Sequence, residues 1–74
     1  MPEHNHPWEP LYRAPAPGSD VRTAYEGDNL KVYFVCPECS AIGRSYDKEI
    51  KVLDPELAAA HRNRAARWNA ELAG

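Results

Sequence analysis

Two cysteines lie close together in the stretch YFVCPECSAIGR, residues 33–44, and the chain has no others. A Cys-x-x-Cys pair can direct both sulfur atoms at one point, which suits either a metal ion or a reversible disulfide. Cys36 and Cys39 follow a run of strand-forming side chains and precede a glycine. Because no second cysteine pair exists, a four-ligand metal site needs two further ligands from other parts of the chain.

The segment VCPECSAIGR, residues 35–44, resembles the CPxC knuckle of small zinc-knuckle and zinc-ribbon modules. The resemblance implies a structural Zn²⁺ ion bound by Cys36 and Cys39, with the turn between them directing both thiolates toward it. It is confined to this segment. It also departs from the pattern at Ser40, where such knuckles often have glycine.

Three histidines are candidates for the remaining ligands. His61 lies within the predicted C-terminal helix, and with the cysteine hairpin it resembles the ββα zinc finger, although the second helical histidine of that family is missing. His4 and His6 are spaced i, i+2, which places both rings on one side of an extended chain. We therefore expect Cys36, Cys39 and His61 to bind zinc together with an N-terminal histidine. The alternative is that the histidines are ordinary core or surface residues.

A thiol redox role is the second possibility for the cysteine pair. Thioredoxin-like sites place the first cysteine at a helix N-terminus, which activates its thiol. Here turn residues follow the pair, and the next predicted helix begins at residue 55. The sequence therefore excludes a thioredoxin-like fold but leaves reversible oxidation of Cys36 and Cys39 open.

Strand patterns surround the cysteine pair. The β-prone runs VRTAY and LKVYFVC flank the turn cluster EGDN and predict an antiparallel hairpin over about residues 21–36. The run RSYDKEIKVL alternates and predicts a further strand over about residues 44–53, with Tyr46 and Ile50 on one face. On the second strand of the hairpin, the residues expected to face the core are Leu30, Val32, Phe34 and Cys36.

A helix over about residues 55–73 is the clearest element. Asp54 suits the N-cap and Pro55 the first helical position. The predicted inward stripe consists of Leu57, His61, Ala65, Trp68 and Leu72. The predicted fold class is therefore α+β, a β-β-β-α domain over residues 19–74 in which one helix packs on a two- to three-stranded antiparallel sheet.

The first 18 residues hold most of the chain's seven prolines, which predict an extended arm. This arm carries the large apolar side chains of Trp8, Leu11 and Tyr12. These side chains predict packing against the domain itself or binding to a partner protein. A disordered tail is the simpler alternative.

The composition of the chain limits which classes of function we expect. A net charge of −2 gives no general attraction to nucleic acid, so an arginine cluster on the helix, Arg62, Arg64 and Arg67, is the only candidate surface of that kind. Its simpler explanation is a solvated helix face. The chain has no glycine-rich phosphate loop and no nucleophile–base arrangement, so we expect no catalytic activity.

No apolar run approaches the roughly 20 residues of a membrane span, and the N-terminus lacks the features of a signal peptide. We therefore expect a cytoplasmic protein. The excess of arginine over lysine and the frequent alanines indicate a bacterial or phage origin, in the latter case within the host cytoplasm. The predicted function is a small zinc-stabilised module for protein interaction or assembly, with a protein partner or a second copy. A nucleic-acid-binding zinc module and a thiol redox protein are the alternatives.

Overall fold

The computed structural model describes residues 6–73, so the predicted ligand His4 lies outside the described residues. In chain order its elements are β1 (Glu9–Pro10), α1 (Arg22–Gly27), a turn of 3-10 helix (Leu30–Val32), β2 (Tyr33–Val35), β3 (Ile42–Tyr46), β4 (Glu49–Val52) and α2 (Pro55–Ala73). The strands form one antiparallel sheet in the order β1-β2-β3-β4. The predicted α+β class is confirmed, with four strands in the sheet.

The proline-rich arm supplies the first strand of this sheet. Glu9 and Pro10 lie opposite Val35 and Phe34 of β2. Immediately after β1, the side chains of Leu11 and Tyr12 enter the hydrophobic core and are only 8% and 1% exposed. The arm therefore packs against its own domain, which is one of the two roles that its apolar residues predicted.

The segment predicted as the first strand of the hairpin is instead the helix α1, so that prediction was wrong. Arg22 and Glu26 form an ion pair one helical turn apart, with 3.2 Å between Nε and Oε1. The Tyr25 ring stacks on Trp68 of α2 with 6.3 Å between centroids. These contacts outweigh the weak strand propensity of five residues. The predicted turn after this segment is present, with Asn29 in the left-handed region at φ 55°.

The run predicted as one further strand contains most of the β3–β4 hairpin. Asp47, at φ 49°, and Lys48 connect the two strands, and Tyr46 lies opposite Glu49. A count of alternating residues does not detect a turn of two residues, because the alternation of apolar and polar residues continues through the turn. It also reverses the parity, so Tyr46 and Ile50 lie on opposite faces of the sheet rather than on the predicted common face.

The core lies between the sheet and α2. Tyr33 and Val35 of β2 pack against it, whereas Phe34 lies on the opposite face. Leu30 and Cys36 are buried as predicted, at 1% and 0% exposure, but both lie just outside the regular strand. The alternation used to assign the core face held only within a strand of three residues. The prediction was therefore wrong for Phe34, and also for Val32, which is half-buried and lies outside the core cluster.

Helix α2 begins as predicted, since Asp54 Oδ1 accepts two backbone N–H bonds of the first turn, at 3.0 and 3.1 Å. Its buried residues are Ala58 and Ala65, and Trp68 packs against the same core. Leu57 is 51% exposed, so the N-terminal part of the predicted stripe was wrong by one residue. A small alanine lets the helix approach the sheet more closely than leucine would. Neither helix within residues 6–73 has the length and apolar character that crossing a membrane requires.

Candidate metal centre

The cysteine knuckle is a tight turn between β2 and β3. The N–H of Cys36 donates to the carbonyl of Ala41 (2.9 Å), and the N–H of Ser40 donates back to the carbonyl of Cys36 (2.8 Å). Ser40 adopts the left-handed conformation at φ 64°, which glycine reaches without steric cost. The turn thus explains why the zinc knuckles that this segment resembles often have glycine at this point. It leaves Cys36 buried and Cys39 exposed.

The arm brings His6 to this knuckle. The Nδ1 atom of His6 lies 3.4 Å from Sγ of Cys39, and the ligand atoms of His6, Cys36 and Cys39 all lie within 4.8 Å of one another. Pairing of β1 with β2 fixes the arm only three residues beyond His6. The sequence named either His4 or His6 as the arm's ligand, and the structure places His6 beside both thiols.

Trp8 holds the histidine end of the arm against the sheet. Its indole lies over Gly43 of β3, where an added Cβ atom would be 2.9 Å from Cη2. The Trp8 ring also contacts the His6 ring, with 4.6 Å between centroids, and the backbone N–H of Trp8 donates to the His6 carbonyl at 2.9 Å. Gly43 therefore makes room for the side chain that positions His6.

The spacing of these atoms suits a tetrahedral ion with nitrogen and sulfur ligands. Zn–S bonds of about 2.3 Å and Zn–N bonds of about 2.0 Å at a tetrahedral angle separate the S and N atoms by about 3.5 Å. The observed 3.4 Å between Cys39 and His6 agrees with that value. One imidazole and two thiolates are also a donor set that favours zinc over magnesium or calcium. The three residues can thus hold a metal ion with little rearrangement.

The structure does not bring His61, the predicted helical ligand, into this group. Its Nδ1 atom is 2.8 Å from the hydroxyl of Tyr12, and its ring stacks on Tyr33 with 4.1 Å between centroids. Burial first, and then the guanidinium of Arg64, lower the pKa of His61, so the ring is neutral at neutral pH. Burial likewise raises the pKa of Tyr12, so its hydroxyl stays protonated while it shares a hydrogen bond with Nδ1 of His61. His61 joins helix and arm within the described structure.

The three arginines of α2 differ in their surroundings. Arg62 donates to the carbonyl of Ser40 in the knuckle at 2.7 Å, and Arg64 forms a 2.6 Å ion pair with Asp28. Arg67 lines an open groove on α2. Two of the three candidate nucleic-acid contacts therefore already bind groups of their own chain.

Two neighbouring residues of α2 hold the arm by its backbone, which the sequence did not reveal. Asn69 donates to the carbonyl of Leu11 (3.0 Å) and accepts from the N–H of Arg13 (2.7 Å). The indole N–H of Trp68 donates to the carbonyl of Arg13 at 2.8 Å. The side-chain amide of Asn69 thus bonds to the backbone N–H and C=O groups of the arm in the way that a neighbouring strand would. In the sequence, the only indication of this role is that Asn69, a polar residue, lies beside the predicted inward stripe.

The predicted partner contacts now have defined positions. Leu11 and Tyr12 are core residues, so their side chains contact their own domain. Trp8 is half-buried on the opposite face of the sheet. The two cysteines are not joined by a disulfide.

A scan against protein-family models and searches of curated proteins and solved structures found no match for this chain.

Proposed function

We propose that this protein is a small zinc-stabilised module for protein interaction or assembly, without catalytic activity of its own. One observation carries the proposal: His6, Cys36 and Cys39 present their ligand atoms within 4.8 Å of one another. His6 comes from the arm and the cysteines from the β2–β3 turn, so an ion bound there would join two segments distant in sequence. A domain of this size buries only a small hydrophobic core, and such domains are often stabilised by a bound metal ion.

Zinc is the metal that fits best. It accepts imidazole and thiolate ligands together and prefers four-coordinate tetrahedral sites, which matches the 3.4 Å separation of Cys39 and His6. In this proposal His4, the other histidine of the HNH sequence, is the first candidate for the fourth ligand. A fully liganded ion has no open position for substrate, which supports a structural role over a catalytic one.

Contacts of the arginine cluster count against the nucleic-acid alternative. Arg62 donates to the Ser40 carbonyl and Arg64 pairs with Asp28, so a phosphate would compete with both contacts. The redox alternative needs a thiol that can attack a disulfide. Cys36 is 0% exposed, so only Cys39 could begin such a reaction. Both alternatives are therefore less well supported than the structural metal site.

Native mass spectrometry with added zinc and then with a chelator tests the proposal. We expect one zinc ion per chain, and loss of folded structure, followed by circular dichroism, when the ion is removed. Changing Cys36 or Cys39 to serine, or His6 to glutamine, should reduce zinc affinity at least tenfold, since each change removes a direct ligand. The matched control is His61→Gln, which should keep the stoichiometry of one.

A chain that is fully folded in the reduced state and binds no zinc would refute the proposal. A loss of zinc in His61→Gln equal to that in His6→Gln would place the ligand on the helix instead. His4→Gln, measured in the same series, decides the fourth ligand: reduced affinity assigns it to His4. If the affinity is unchanged, the fourth position belongs to water or another group.

A further inference from the structure

The geometry points to self-association through β4: two copies of this chain pair their β4 strands antiparallel and form one continuous sheet. This inference deepens the assembly role of the proposed function. It does not depend on the metal. Three features of the molecule support the pairing: the backbone at the outer edge of the sheet, the order of charges along β4, and the apolar face of the same strand.

Strand β4 presents a row of backbone groups to which no residue within 6–73 is bonded. Among these described residues it is the last strand of the sheet and has β3 on one side only. The N–H of Leu53 donates to the carbonyl of Ile42 at 2.8 Å, which fixes the alternation of the ladder. By that alternation, the N–H and C=O groups of Ile50 and Val52 point away from β3 and toward the open edge. Four hydrogen-bonding groups are thus ready to accept another strand.

The opposite edge of the sheet cannot do the same. Strand β1 has only two residues. The N–H of Leu11 points inward and donates to the carbonyl of Tyr33, so the nitrogen of Pro10 lies on the outer side. Proline has no N–H to donate, which is a common way to protect an edge strand. Strand β4 has no proline, so the sheet is protected at one edge and open at the other.

The charges of β4 are complementary to themselves in one antiparallel register. When Ile50 lies opposite Ile50 of a second copy, Glu49 of each copy lies opposite Lys51 of the other, so two opposite-charge pairs form. Both side chains are well exposed, and within one chain their charged atoms are 3.7 Å apart. A shift that places Ile50 opposite Val52 brings the two Lys51 side chains together, which is unfavourable. The charges of β4 therefore favour the first of these two registers.

The same pairing extends an apolar surface. An added Cβ atom at Gly43 would meet both Ile50 and Trp8, so these residues share the face of the sheet that is remote from α2. Phe34 and Val52 lie opposite Gly43 on either side and belong to the same face. Val52, the outermost, is 54% exposed. Pairing of two β4 strands places the two apolar faces side by side and covers the edge of each.

Analytical ultracentrifugation of the zinc-loaded, reduced protein over a series of concentrations tests the inference. We expect a reversible monomer–dimer equilibrium. Glu49→Lys and Lys51→Glu each turn two attractive pairs into two repulsive ones, and each should raise the dissociation constant about tenfold or more. The matched controls, Glu71→Lys and Lys31→Glu, make the same charge changes away from β4 and should leave the dissociation constant unchanged.

A mixture of the two β4 variants provides the decisive result. Glu49→Lys has two lysines at the edge and Lys51→Glu two glutamates, so a heterodimer restores both opposite-charge pairs. We expect the mixture to dimerise under conditions in which each variant alone is monomeric. A wild-type protein that stays monomeric at all concentrations, or a mixture that does not associate, would overturn the inference.

Failure of the β4 pairing and failure of the proposed metal site give different experimental results. Dimerisation that responds to the control charges but not to the β4 charges refutes this interface and leaves an assembly role standing. Failure to bind zinc refutes the metal site and leaves the β4 pairing as measured.

Discussion

The arm is expected to depend on the absence of a side chain at Gly43. A Cβ atom at this position would be 2.5 Å from Cγ2 of Ile50 and 2.9 Å from Cη2 of Trp8, both shorter than any normal contact. The change Gly43→Ala therefore forces Ile50 on β4, Trp8 on the arm, or both, to move. Because the Trp8 ring contacts the ring of His6, movement of the arm also disturbs the candidate metal centre.

The magnitude follows from two opposing effects. Overpacking of this kind costs about 1–3 kcal/mol. Alanine in place of glycine within a strand regains about 0.5–1 kcal/mol of backbone entropy. We expect a net loss of about 1 kcal/mol in the free energy of unfolding, which lowers the melting temperature of so small a domain by about 4–8 °C.

Urea unfolding of the zinc-loaded protein measures this loss. Gly27→Ala is the matched control, since nothing lies within 4 Å of a Cβ atom there and its φ is not in the left-handed region. The cost of Gly43→Ala should be smaller in a Trp8→Ala background, with a coupling of about 0.5 kcal/mol or more. Zinc affinity should also fall in Gly43→Ala, although residue 43 is not a ligand. Unchanged stability and unchanged zinc affinity would show that Trp8 does not pack on Gly43.

Three further predictions concern the knuckle, the arm and His61. Ser40→Gly should raise the free energy of unfolding by about 0.5–1 kcal/mol in urea titrations because it relieves the left-handed strain, whereas Ser40→Ala should give no gain. Asn69→Ala should cost about 1–3 kcal/mol because it removes two hydrogen bonds to the arm; the exposed Asn63→Ala should cost almost nothing. An NMR titration should place the pKa of His61 below the usual value of about 6.5. Since the folded chain then binds fewer protons than the unfolded one, the stability difference between wild type and His61→Gln should fall as the pH drops below about 6.5; an unshifted midpoint would contradict this.

Features set by neighbouring residues could be predicted from the sequence. The start of α2 depends on Asp54 and Pro55, and the knuckle depends on Cys36, Pro37 and Cys39. Each is a short-range pattern with a specific backbone geometry, and each is present. The approach of an N-terminal histidine to the cysteines was also predicted, because the missing ligands had to come from outside the knuckle.

Features set by distant contacts could not be predicted. Within the helix Arg22–Gly27, Tyr25 stacks on Trp68, which lies more than forty residues later in the chain, so the local pattern cannot show this contact. His61 was assigned to zinc because it lies on the inward side of α2, but the same side also faces Tyr12 of the arm. Because the arm enters the core, Nδ1 of His61 contacts the hydroxyl of Tyr12 and does not lie beside the cysteines. A pattern on one element does not identify which of several segments will pack against it.

The arm links the separate parts of the molecule, and this explains where a metal ion would matter most. A bond between Cys36 and Cys39 closes only a tight turn, which the backbone already holds with two hydrogen bonds. His6 lies 33 positions from Cys39, so zinc bound to both closes a long loop. By the chain-entropy model of a cross-link, a loop of that length is worth about 3–4 kcal/mol. The histidine, rather than the cysteine pair, would therefore supply most of the stability that zinc adds, because it fastens the arm that completes both the sheet and the core.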